Sequence, residues 1–197
     1  MLKKLSLMTV CAASAFALHT AEININDKDL EVSGQFDMGQ FVDAVEPDTM
    51  FVGVKFLNAD AENSDNDNAD LDPYFEASFL MMKEMGNSGF KLGLGGKLNY
   101  TKVGSQSFSA IPLGVEGSYK IPADNLIPMF INASVYYAPS VLSFSDADSY
   151  FETRISYDIE VIDNGKITLG YRKMDTNYDA GDFTYNDSWY AGFKFSF

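Results

Sequence analysis

The sequence predicts an all-β protein, an antiparallel transmembrane β-barrel of eight strands behind an N-terminal signal peptide. Three observations carry that expectation. The last fifteen residues alternate so that one face is a row of aromatic rings, apolar and polar residues alternate with a period of two from Met50 onward, and the polar connections are long on one side and short on the other.

In residues 183–197, Trp189, Ala191, Phe193, Phe195 and Phe197 share one face, and Tyr190, Gly192, Lys194 and Ser196 the other. Such a row of rings has to be covered by another chain, by the first strand or by lipid. A barrel closes its last strand onto its first and turns the apolar face to lipid. The spacing Tyr190-x-Gly192-x-x-Phe195-x-Phe197 also resembles the terminal signal read by outer-membrane assembly machinery, which makes that machinery an expected partner.

At the other end, Lys3 and Lys4 precede an apolar run over residues 5–18. This is the pattern of a secretory signal, too short for the roughly 20 residues of a transmembrane helix. Cleavage is expected after Ala21, with Ala17 the alternative. The chain then divides into a signal peptide (1–21), an N-terminal segment (22–49) and an outer-membrane barrel (50–197). Cys11 lies inside the apolar run behind Val10, which argues against a lipid anchor. Cys11 and His19 are the only Cys and His of the sequence. Cleavage after Ala21 removes both, and with them Ser-His-Asp and Cys-His catalysis, Cys/His metal centres and disulfides. The expectation is a non-enzymatic protein without a cofactor. The net charge of −14, or −16 once Lys3 and Lys4 are gone, disfavours nucleic acid as a partner.

The segment 22–49 is ambiguous. Leu30, Val32, Gly34 and Phe36 alternate, yet Met38, Phe41, Val42 and Val45 suit a helical face, so a lead-in, a plug or an extra strand all remain open. Residues 50–59 form the first clear strand, with Val52, Val54 and Phe56 opposite Lys55. The connection 60–70 is too polar to bury. Residues 74–82 set Phe75, Ala77, Phe79 and Met81 against Glu76 and Ser78, and Gly86 and Gly89 turn the chain. Residues 90–101 alternate longest, with Phe90, Leu92, Leu94, Leu98 and Tyr100 opposite Lys91, Lys97, Asn99 and Thr101. The fourth strand, 111–121, opposes Leu113, Val115 and Tyr119 to Glu116, Ser118 and Lys120. Pro112, lacking a ladder donor, should mark a bulge or the outer end there. A turn at 122–125 leads to the fifth strand, 127–137, and a loop over 138–148 to the sixth, 150–162. Asp163-Asn164-Gly165 predicts a type I′ hairpin into the seventh strand, 166–172. A loop over 175–182 precedes the terminal strand. With residue 197 in the periplasm, 60–72, 103–107, 138–149 and 175–186 lie outside, and the shorter 84–89, 122–125 and 163–165 inside.

The lumen face collects Lys55, Glu76, Lys91, Lys97, Glu116, Lys120, Glu152, Arg154, Asp158, Glu160, Lys166, Arg172 and Lys194. Both signs are present, so these groups should neutralise one another around Arg154 rather than line a pore of one sign. Tyr100, Tyr136, Tyr137, Tyr150 and Phe151 read as an outer aromatic girdle, and Tyr119, Phe195 and Phe197 as an inner one. In the acidic loop, a calcium site beginning at Asp65 fails, because Ala69 and Asp70 stand where a carboxylate and Gly are needed. A weaker expectation is that the external carboxylates hold divalent cations near lipopolysaccharide.

The segments Tyr136-Tyr137-Ala138-Pro139-Ser140-Val141-Leu142, Asp148-Ser-Tyr-Phe-Glu152 and Gly170-Tyr171-Arg172, with the closing Tyr190-x-Gly192, resemble the YfaZ family of bacterial outer-membrane proteins. Gly95-Gly96-Lys97 and residues 114–119 are similar to its middle strands. The resemblance implies a small barrel in the outer membrane of Gram-negative bacteria and brings no functional residues with it. The expected role is structural or surface-interacting, with a filled polar lumen and outer-membrane lipid and lipopolysaccharide as surroundings. The alternative is a narrow channel or carrier for a small solute.

Overall fold

A computed structural model describes residues 19–122, 127–178 and 181–197. The signal segment through residue 18 and most of the turn at 122–125 lie outside them. Twelve strands are formed: β1 (Thr20–Ile25), β2 (Leu30–Asp37), β3 (Met50–Asn58), β4 (Tyr74–Glu84), β5 (Phe90–Val103), β6 (Gln106–Ala110), β7 (Leu113–Ile121), β8 (Met129–Ala138), β9 (Ser143–Ser145), β10 (Ala147–Ile162), β11 (Gly165–Tyr178) and β12 (Gly181–Ser196). No helix among the described residues is long and apolar enough to cross a membrane.

Ten strands pair antiparallel in sequence order and close when β12 meets β1, with Thr20 opposite Ser196 and Ile25 opposite Ala191. The short strands β6 and β9 pair with each other outside this ring. The expected count of eight is therefore corrected to ten. The two added strands are β1, which begins two residues inside the expected signal peptide, and β2, which lies in the segment 22–49 whose role the sequence left open. The first and last described residues, His19 and Phe197, lie together at one end of the barrel, here the terminal end, with the connections 38–49, 85–89 and 163–164. The connections 59–73 and 104–105 and the β9 region lie at the opposite loop end. The expected length asymmetry is not kept throughout: 38–49 is long at the terminal end, the β1–β2 turn and 104–105 are short at the loop end, and β11 and β12 extend through most of the expected 175–186 loop to pair Tyr178 with Gly181.

Pro112 falls between β6 and β7, as the missing donor requires; Lys97 N–H reaches its carbonyl at 2.9 Å. The 163–165 hairpin differs from expectation. Ile162 pairs with Gly165 past a register shift, so Asp163 and Asn164 are the central residues, and of these only Asn164 takes a positive φ, 64°. A type I′ turn needs positive φ at both central residues, so the turn is not of that type. The acidic 59–73 connection is more than a solvated loop. Asp65 exchanges backbone and side-chain hydrogen bonds with Thr184 of β12, and Asp72 N–H donates to Lys102 of β5. It thus fills the notch that the short β1 and β2 leave in the wall at the loop end.

The barrel turns its apolar face outward. Leu94 is 60% exposed and Lys97, three residues on, 6%. Ile23, Val54, Phe79, Leu98, Val115, Ile155, Leu169 and Trp189 continue the outward band around the ring. Inside, at the loop end, Leu57, Tyr74, Phe108, Tyr150, Met174, Tyr178 and Tyr185 pack together as an interior cap. At Gly170 the ring of Tyr190 lies where a Cβ would stand, so this position admits no side chain without displacing it.

A chain truncated to begin at Met50 separates the two strand counts. It leaves β3 and β12 as unpaired edges, and an open edge is not tolerated in a membrane barrel. Refolding into detergent, followed by circular dichroism and unheated electrophoresis, should give a folded barrel from the full ring and none from the truncated chain.

Candidate functional site

The lumen holds ion pairs between neighbouring strands and others that cross it between strands that are not neighbours. Lys55 Nζ of β3 lies 3.2 Å from Glu76 Oε2 of β4 and 3.5 Å from Glu152 Oε1 of β10. Lys97 Nζ of β5 lies 3.2 Å from Glu76 and 2.8 Å from Glu152. Because β10 stands across the ring from β3 and β4, this four-membered set spans the interior. The hydroxyls of Tyr74 and Tyr150 donate to Glu76 and Glu152, each at 3.1 Å, and the Tyr136 ring lies 4.0 Å from Lys97 Nζ. Tyr136 and Tyr150 are thus lumen residues and not girdle rings. Their neighbours Tyr137 and Phe151 face outward, since adjacent strand residues cannot share a face.

A second set surrounds Glu31 of β2. It receives Arg154 of β10 and, at 2.7 Å, Nη1 of Arg172 of β11; Glu22 of β1 lies 3.9 Å from Arg154. Arg172 also donates to Asn186 at 2.9 Å and reaches Asp29 at 3.3 Å, while the Tyr190 ring lies within cation–π distance of both guanidiniums. Asp29, in the β1–β2 turn, accepts from the Asp60 backbone, Asn186 and Ser188. Burial alone would push its carboxyl up, but these donors hold it below the ordinary carboxylate range. A third set joins Lys194 of β12 to Asp158 at 3.0 Å and to Glu22 at 3.2 Å, with Asn132 donating to Asp158 at 3.0 Å.

Of the lumen residues named from sequence, Lys55, Glu76, Lys97, Glu152, Arg154, Asp158, Arg172 and Lys194 enter these sets. Glu116 sits apart, accepting the Tyr136 hydroxyl at 2.6 Å. Lys91, Lys120, Glu160 and Lys166 stand toward the terminal end outside the sets. The sequence reading missed Glu22, Asp29 and Glu31, and a signal for them existed. Counted from Met50, the lumen list holds eight bases (Lys55, Lys91, Lys97, Lys120, Arg154, Lys166, Arg172, Lys194) and five acids (Glu76, Glu116, Glu152, Asp158, Glu160). The three carboxylates of β1, the β1–β2 turn and β2 are the ones that bring the two signs level.

The four residues expected to form a terminal signal divide between faces. Tyr190 packs among the guanidiniums, and Gly192 lies beneath Asn24, whose amide occupies the space of a Cβ. Phe195 and Phe197 stack edge to face at 4.9 Å on the outward side. Among the described residues one cluster has metal-capable side chains, His19, Asp37 and Asp48. Both Asp37 oxygens are already taken by the N–H groups of Gly39 and Asp48, which reads as loop capping. Between the ion-pair sets and the terminal end lies a cavity of about 330 Å³, lined by Lys91, Ser118, Phe130, Lys166 and the lower members of the sets. Fixed paired charges of this kind tie strands together across the interior.

Among known families, a model described as YfaZ precursor matches residues 70–197, well over half of the chain. No curated protein matches it.

Glu31 is the carboxylate that two guanidiniums share, so Glu31→Gln should destabilise the barrel by about 3 to 5 kcal/mol in urea titration, the usual effect of breaking a buried pair. Replacing all three groups, Glu31→Leu with Arg154→Met and Arg172→Met, should recover most of that loss. A triple variant no more stable than Glu31→Gln would place the fault in packing rather than in stranded charge.

Proposed function

The chain belongs to the YfaZ family, and on that premise we propose that it is a non-enzymatic outer-membrane barrel with a structural or surface-interacting role and a lumen closed toward the loop end. The observation that carries this reading is the coincidence of an outward apolar band with an interior shut by two successive layers, the ion-pair sets and the cap around Tyr74, Phe108 and Tyr150. The band demands lipid rather than water, and ten strands with this filling leave no open bore. In this orientation the terminal end faces the periplasm and the acidic loops face outward. There, carboxylates not engaged by backbone N–H groups would meet lipopolysaccharide through divalent cations.

The carrier reading keeps one supporting observation, the cavity at the terminal end. Planar-bilayer recording of the refolded protein decides between them. The expected result is small or no steady conductance, and large, stable, weakly selective channels would overturn the closed lumen.

The signal peptide is part of the same reading, with its cleavage placed after Ala17 instead of Ala21. His19 N–H donates to Gln35 at 2.7 Å, Phe197 N–H donates to His19 at 3.0 Å, and Thr20 and Ala21 pair with Ser196 and Phe195. Cleavage after Ala21 would strip these partners from the closing seam. Mass spectrometry of the protein extracted from membranes should find a mature chain beginning at Leu18, and a start at Glu22 would overturn this placement.

A further inference from the structure

The three lumen lysines outside the ion-pair sets gather at the terminal end. Among the described residues, neither Lys91, Lys120 nor Lys166 has a carboxylate oxygen within 4.0 Å. Lys91 and Lys166 line the 330 Å³ cavity, and Lys91 and Lys120 line a second recess beside it; Ser118 and Phe130 belong to both. The ladder explains how they converge. Lys91 stands opposite Ser118, Lys120 opposite Phe130, and Lys166 opposite Lys194. The last is a like-charge cross-strand pair, which by itself is destabilising. Lys194 is neutralised by Asp158 and Glu22, but Lys166 has only the face of Phe130, 4.2 Å from its Nζ. Glu160 stands across the ladder from Lys166, and Glu84 from Lys91, yet neither closes to an ion pair. Glu116 is engaged by Tyr136. Lys91 and Lys166 at the 330 Å³ cavity, with Lys120 at the recess beside it, thus present ammonium groups that no carboxylate of the described residues engages, which are the donors an incoming anion needs.

We propose that this vestibule binds the phosphate group of a small periplasmic solute, with Lys91, Lys120 and Lys166 as donors and Phe130 as an apolar wall. Ammonium groups bind phosphate as point charges, without the fork geometry of arginine. The cavity lies inside the ring and opens away from the loop end, which favours a solute over a lipid headgroup. The site is independent of whether the lumen conducts, so a conducting barrel would overturn the closed lumen and leave this binding untouched.

The test titrates inorganic phosphate into the mature protein refolded in zwitterionic detergent, at fixed ionic strength set with chloride, by calorimetry or phosphorus NMR. Saturable binding is expected in the unmodified protein, weakened about tenfold, roughly 1.4 kcal/mol, in the double variant Lys91→Gln, Lys166→Gln. Lys28→Gln, on the β1–β2 turn at the far end, should leave it unchanged. Absence of saturable binding, or equal binding by the double variant, would overturn the proposal. A parallel arm in micelles doped with phosphatidic acid tests the source: phosphate binding should persist there, and its displacement would overturn the assignment to a solute.

Discussion

Charge compensation across a narrow lumen is the constraint on which this structure depends. An ion moved from water into a closed interior loses several kcal/mol of solvation, recovered only if a partner of opposite sign stands at contact distance with its remaining hydrogen bonds made. The two guanidiniums of β10 and β11 meet that condition only because β2 places Glu31 between them and the β1–β2 turn places Asp29 beside Arg172. The N-terminal strands therefore do more than complete a ring of backbone hydrogen bonds. They carry the acids that an eight-strand barrel would lack, and ring size and charge balance settle together at ten.

Most of the barrel wall was legible because its chemistry is local. A strand facing lipid on one side and charge on the other must alternate, and residues 90–101 do so without a break of face: Leu94 and Lys97 sit where their parity puts them. Pro112 was readable for the same reason, since a residue without an N–H must fall at a gap in the ladder. The segment 22–49 hid two strands because its signals overlap. Leu30 to Phe36 alternates over one short strand, and the apolar residues from Met38 to Val45 belong to a connection outside the ladder whose spacing mimics a helix.

The candidate site was legible in membership and not in pairing. Parity alone assigns Lys97, Glu152, Arg154 and Arg172 to the lumen, but which carboxylate meets which cation depends on which strands face each other across the ring, and that follows from strand number. Parity could also have placed the tyrosines. Tyr136 and Tyr137 are adjacent, as are Tyr150 and Phe151, so one of each pair had to leave the girdle, and the inward ones became the hydroxyl donors of the ion-pair sets.

The terminal strand holds residues with an interior packing duty and residues without one. Tyr190 is held by two guanidiniums and by the bare backbone of Gly170, and Gly192 is required because the Asn24 amide occupies its Cβ space. Both positions would be constrained in this barrel even if no machinery ever read the strand. Phe195 and Phe197 have no such interior reason: their rings face outward and stack on each other, and Phe197 contributes a backbone bond to His19 that any residue but proline would supply. Of the Tyr190-x-Gly192-x-x-Phe195-x-Phe197 spacing, the tyrosine and glycine are thus explained by the charged lumen they help to fill, and the two phenylalanines are not.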